Sequence, residues 1–175
     1  MIKINPGKNK GRLLLFTLTA LLGLSLVAVF LHEAAHTGTA LVLGVALDDI
    51  KFGFYGFNPA VFIPQGTPVD VLRIIHYAGG LLAGAIGLLA YLFWRRLYRR
   101  QPTGTAWLFG MTLAVITGWQ IANGIIEGHM HAVYIAWSGN LFTLTNLLSG
   151  LGMMEGVLIH RWLNPPQAAA RSQEV

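Results

Sequence analysis

Four long apolar stretches, separated by short polar or basic ones, set the plan of this chain. The first runs 19 residues from Leu13 to Leu31 without a charge, about 28 Å as a helix at roughly 1.5 Å per residue, which is one bilayer crossing. The others run from Val71 to Trp94, from Thr105 to Ile126 and from Ala132 to Ile159. The segment between the first two, Asp48 to Pro68, differs in kind. Ile50 to Tyr55 alternates large apolar residues with others, and Ala60 to Ile63 can pair back across a turn rich in Gly, Asn and Pro, the pattern of a short hairpin. The prediction is an all-α integral membrane protein of about four transmembrane helices with a short β-hairpin-like loop after the first. Residues 1–163 form one membrane domain, and 164–175, with Pro165, Pro166 and an alanine run, read as a disordered tail. The first stretch exceeds the apolar core of a cleaved leader, about 7 to 15 residues, and leads straight into His32, so it is read as a retained span.

Composition agrees with this plan. Hydrophobic residues make up 54% and charged ones only 11%, against about 25% charged in soluble domains, too few to coat a water-facing surface. With no cysteine, disulfides and thiolate ligands are excluded, and a metal site would have to be built from imidazole and carboxylate. A net charge of +5 could suggest nucleic acid, but the basic residues flank apolar runs instead of gathering on a solvated face. Lys3, Lys8, Lys10 and Arg12 precede the first span, Arg95, Arg96, Arg99 and Arg100 lie between the second and third, and Arg161 and Arg171 follow the fourth. Only Lys51 and Arg73 fall on the other side, so the positive-inside rule predicts a multi-pass protein of the cell membrane with both termini cytoplasmic. Trp94, Trp107 and Trp162 sit at the predicted cytoplasmic ends as interfacial anchors.

Polar residues within the spans are where chemistry is expected, because a charge at the bilayer centre costs about 2.5 to 3.5 kcal/mol even on lenient scales. His32-Glu33-Ala34-Ala35-His36 is an H-E-x-x-H motif on the continuation of the first helix. Histidines at i and i+4 share one face about 6 Å apart, so both imidazoles can reach one metal ion. Glu33 is turned toward the open coordination position, where it can take a proton from bound water. A catalytic zinc site needs a third protein ligand. Glu127 ends the third span, follows Asn123-Gly124 and is the only acid between Asp70 and Glu155, which makes it the first choice. His129 and His131 are alternatives, and Glu127 with His131 is also an i, i+4 pair that could orient a ligand instead. His76 reads as a buried histidine bonded to a backbone carbonyl, and the role of Glu155, beside Met153 and Met154, stays open. Gly80 with Gly84, Gly124 with Gly128 and Gly152 with Gly156 have the four-residue spacing of close helix packing.

With these residues in view, the chain resembles the site-2 protease family of intramembrane zinc metalloproteases. His32-Glu33-Ala34-Ala35-His36 is followed by Ala40 and Gly44-Val45 in that family's small-residue pattern, and then by the hairpin-like loop. Ala78-Gly79-Gly80-Leu81-Leu82-Ala83 looks like the family's A-G-P-x-x-N segment, with Gly80 and Ala83 in place of its Pro and Asn. Asn123-Gly124-Ile125-Ile126-Glu127-Gly128 stands where the family has an Asn-containing stretch ending in Leu-Asp-Gly, with Glu127 in place of the ligand Asp. The resemblance implies one zinc ion per chain, held by His32, His36 and Glu127, with Glu33 catalytic. It implies cleavage of a peptide bond in or near a transmembrane segment of a membrane-protein substrate. It also implies that the Ile50 to Phe57 strand pairs with an unwound substrate segment, with Ile50, Phe52, Phe54 and Asn123 as its contacts. The family usually opens its zinc site to the cytoplasm, whereas the basic residues place His32 near the outer face. Two other classes are weighed against it: a non-catalytic or degenerate membrane subunit of a larger complex, and a membrane di-iron oxidase built from His32, Glu33, His36 and residues 127–131. A homo-oligomer is left open.

Overall fold

The computed structural model describes residues 10–55, 58–98, 104–134 and 140–164, with the backbone alone described for Lys10, Tyr55, Asn58, 131–134 and 140–149. The fold is all-α apart from one hairpin: α1 (Lys10–Val42), β1 (Lys51–Tyr55), β2 (Asn58–Phe62), α2 (Val69–Tyr98), α3 (Gly104–Tyr134) and α4 (Asn140–Leu163). Three of the described helices, over Gly11–Val42, Val69–Tyr98 and Gly104–Met130, are long and apolar enough to cross a membrane.

α1 runs without a break through the H-E-x-x-H motif. It ends where Gly44 takes a positive φ of 89°, which lets the Val45 N–H return to the Ala40 carbonyl at 3.0 Å. A left-handed glycine closing a helix in this way costs nothing that a Cβ would. α2 starts after Pro68, with Asp70 in its first turn, where the helix dipole favours an acid. β1 and β2 pair antiparallel from Lys51↔Phe62 to Tyr55↔Asn58, and β2 packs on α1. Beneath the hairpin, Ala40, Ile50 and Ile75 are buried together, with Val61 and Ile63 packed on them.

The third helix departs from the hydropathy reading. The apolar stretch ends at Ile126, yet α3 continues to Tyr134, so Ala132–Tyr134 belong to it and not to the fourth helix, which begins at Asn140. Glu127, His129 and His131 interrupt the hydrophobicity but not the backbone hydrogen bonds, because a helix satisfies its own main chain whatever its side chains carry. Asn164 closes α4, its N–H bonded to the His160 carbonyl at 2.9 Å. The rest of the predicted tail, 165–175, lies outside the described residues.

α3 is the central helix, packed against α1, α2 and α4, and glycines make the approaches close. A Cβ on Gly80 would run into the backbone of Gln120 and Gly124, and one on Gly152 or Gly156 into the carbonyls of Gly118 or Ala114. The paired glycines therefore serve helix packing, as their spacing suggests.

Candidate metal centre

The approach of α1, α2 and α3 brings His32, His36 and Glu127 together, with ligand atoms all within 4.8 Å of one another. The two imidazoles come from one face of α1, and Glu127 comes from α3, 91 positions beyond His36 in the chain. Both histidines are buried, at 6% and 8% exposure, so every polar atom on them requires a partner.

Their Nδ1 atoms are accounted for. His36 Nδ1–H donates to the Ile75 carbonyl at 2.7 Å, and His32 Nδ1–H donates to the Gln120 amide oxygen at 2.8 Å. Both acceptors lack protons, so each neutral imidazole presents a bare lone pair at Nε2. These two Nε2 atoms lie 2.9 Å apart. Glu127 Oε2 faces them at 3.2 Å from His32 and 3.5 Å from His36, yet it is buried and receives no hydrogen bond among the described residues. The other carboxylate oxygen, Oε1, accepts from the Asn123 amide at 2.7 Å. With both imidazoles neutral, three electron-rich atoms thus converge on one buried point, an arrangement that repels itself unless a metal cation or a proton sits among them.

The spacing could hold a metal ion. Three ligand atoms held tetrahedrally at about 2.0 to 2.2 Å from an ion lie roughly 3.3 to 3.6 Å apart, and the observed separations of 2.9, 3.2 and 3.5 Å lie close to that range. The donors behind the ligands are of the kind that fixes a metal-binding histidine's tautomer and ring orientation.

Three features of this centre leave no mark in a motif. Gln120 is an amide in an apolar stretch, and with Asn123 and Glu127 it follows the i, i+3, i+7 spacing of one helix face, the signal by which it could be found. Gly79 lies directly under the imidazoles: a Cβ there would strike the His36 ring and come within 2.9 Å of His32 Nε2. The third is the Val61 N–H of β2, which donates to Glu33 Oε2 at 2.9 Å. This bond holds the half-buried Glu33 carboxylate against the hairpin and leaves its Oε1 unengaged by Val61.

The other predicted residues fall around the centre. His129 is turned to Tyr77, whose hydroxyl is 2.7 Å from its Nδ1, and does not join the ligand group. The side chain of His131 lies outside the described residues. His76 is half-buried, with its ring 5.7 Å from that of His36. Asn123 serves Glu127. Of the hairpin residues, Ile50 is 5% exposed in the core and offers nothing to a partner, whereas Phe52 and Phe54 are 66% and 71% exposed. Among the described residues no larger His and carboxylate set gathers. No family model, curated protein or solved structure matches this chain.

Proposed function

We propose that this protein is an intramembrane zinc metalloprotease of the site-2 protease type, with one zinc ion per chain held by His32, His36 and Glu127. The observation that carries the reading is the convergence of two bare Nε2 lone pairs and an unbonded carboxylate oxygen beside the glutamate of an H-E-x-x-H motif. The His-His-Glu donor set is common among soluble zinc peptidases. A zinc ion bound there supplies a water whose pKa falls to about 7 and polarises the scissile carbonyl.

The chain's own groups do the rest. Glu33 takes a proton from the attacking water and passes it to the leaving amine, its carboxylate steadied by the Val61 N–H. Gln120 and the Ile75 carbonyl hold the imidazoles in the tautomer that ligation requires. In β1, Phe52 and Phe54 stand opposite Val61 and Pro59. Because Val61 turns its N–H away from β1 toward Glu33, these are the non-hydrogen-bonded pairs of the ladder. The main-chain groups of Phe52 and Phe54 therefore face the outer edge of β1, where an unwound substrate strand can add. Substrates are membrane proteins, and the bilayer is the protein's own solvent. By the distribution of basic residues, both termini are cytoplasmic in the cell membrane.

The test is cleavage of transmembrane peptides by detergent-purified protein. Cleavage that stops on chelation, returns with zinc and is absent in Glu33→Gln supports the proposal. A wild-type protein that carries zinc but cleaves no faster than Glu33→Gln would point to the non-catalytic subunit instead.

A further inference from the structure

Away from the metal centre, α2 and α4 both pack on α3 and meet each other at Tyr91, Trp94 and His160, and beside that contact they leave a groove of about 530 Å³. Thr117 and Ile121 of α3 lie in its floor, with Leu88 and Tyr91 of α2 on one side and Leu151 and Glu155 of α4 on the other. Gly152 and Gly156 are already occupied in the contact with α3, so the groove is not a spare glycine seam. One charged group interrupts its apolar surface. Glu155 is exposed and has no hydrogen bond or ion pair among the described residues. Thr117, also in the lining, is only 7% exposed, and its hydroxyl, turned toward Gly87 of α2, has no hydrogen-bond partner among the described residues. Thr17, Thr37 and Thr112 behave differently, each donating to the carbonyl four residues back, the usual way to satisfy a hydroxyl in an apolar helix.

Depth selects the occupant. With α4 in the bilayer as its apolar sequence predicts and Arg161 at the interface, Glu155, six residues to the apolar side of Arg161, lies about 9 Å along the helix, inside a hydrocarbon layer whose half-thickness is about 15 Å. A carboxylate at that depth is costly alone and pairs with a cation where one is offered. A lipid headgroup ammonium stays at the interface above it, whereas a lysine or arginine on a neighbouring transmembrane helix reaches that level. We propose that this groove docks a transmembrane helix of another protein and that Glu155 recognises a basic side chain on it. The groove runs along α3 to Ile126, next to Glu127, but nothing in the inference depends on what the metal centre does.

The test uses the full chain in lipid vesicles with p-benzoylphenylalanine in place of Leu88, which is 43% exposed. The probes are two leucine-alanine transmembrane peptides, one with a single lysine roughly 9 Å from its basic end and an apolar twin. The expected result is about fivefold more photo-crosslinking to the lysine peptide, the scale of a polar contact between membrane helices. That preference should vanish in Glu155→Gln and in Glu155→Leu, with the thermal unfolding midpoint of Glu155→Gln unchanged. Equal labelling of the two peptides by the wild type, or a preference that survives Glu155→Gln, overturns the proposal. Label confined to lipid acyl chains, or to a second copy of this chain, overturns it as well and reassigns the groove. Metal content, expected to be the same in Glu155→Gln as in the wild type, separates failure here from failure of the metal reading.

Discussion

Two regions of this molecule bury histidines, and they do so to opposite ends. At the junction of α1, α2 and α3, His32 and His36 have their Nδ1 atoms tied back and their Nε2 atoms aimed at a shared carboxylate. At the Arg-rich end, His160 is 0% exposed and sits among aromatic rings, with centroids 4.9 Å from Trp107, 5.4 Å from Trp94 and 5.8 Å from Tyr91. Its Nδ1 meets the Tyr91 hydroxyl at 3.2 Å and the Asn164 amide at 3.4 Å, and Trp107 Nε1–H donates to the Asn164 carbonyl at 3.1 Å. No carboxylate approaches it among the described residues. Burial of an imidazole is common to both regions. What separates a candidate centre from a structural joint is the convergence of acceptors with nothing donated to them.

That contrast can be broken first at the ligands and the base. Glu33→Gln should retain metal and lose about 10² to 10⁴ in turnover, the range of general acid–base catalysis, measured as peptide cleavage per zinc bound. Gly79→Ala should weaken metal binding by more than about 100-fold, beyond the effect of losing a hydrogen-bonded support. A methyl group there occupies the space of both imidazoles. Competition against a chromogenic chelator measures it, and an unchanged affinity would mean that the rings can turn aside. Gln120→Leu frees His32 to rotate and should cost about 10- to 100-fold in metal affinity, with the fold intact. His160→Ala sharpens the comparison from the other side. It removes a buried ring and should lower stability by about 2 to 4 kcal/mol, as large-to-small core changes do. Metal content and affinity should stay those of the wild type, read by thermal unfolding beside metal analysis.

Much of this was legible in the chain because the relevant signals are local. Uninterrupted apolar runs mark the helices, alternation from Ile50 marks the hairpin, and His32 to His36 carries its geometry in its spacing. Glu127 stands out as an acid stranded at the end of an apolar stretch. Hydropathy ends α3 at Ile126 rather than Tyr134 because it reports the surroundings of a helix, not its hydrogen bonds. Gly79 and the Val61 N–H were illegible for another reason. One matters through a side chain it lacks and the other through its main chain, and neither shows until α2 and the hairpin are folded onto α1. Gln120 lay between these cases, visible as a polar residue in an apolar run but without a partner until His32 was placed against it.

The central claim is that His32, His36 and Glu127 hold one metal ion. Mass spectrometry of metal content in detergent-purified protein, prepared without chelators, tests it most directly in the wild type, His36→Ala and Glu127→Ala. The account predicts one zinc per wild-type chain and none in either variant. A wild-type protein without metal, or one whose zinc survives Glu127→Ala, would contradict it.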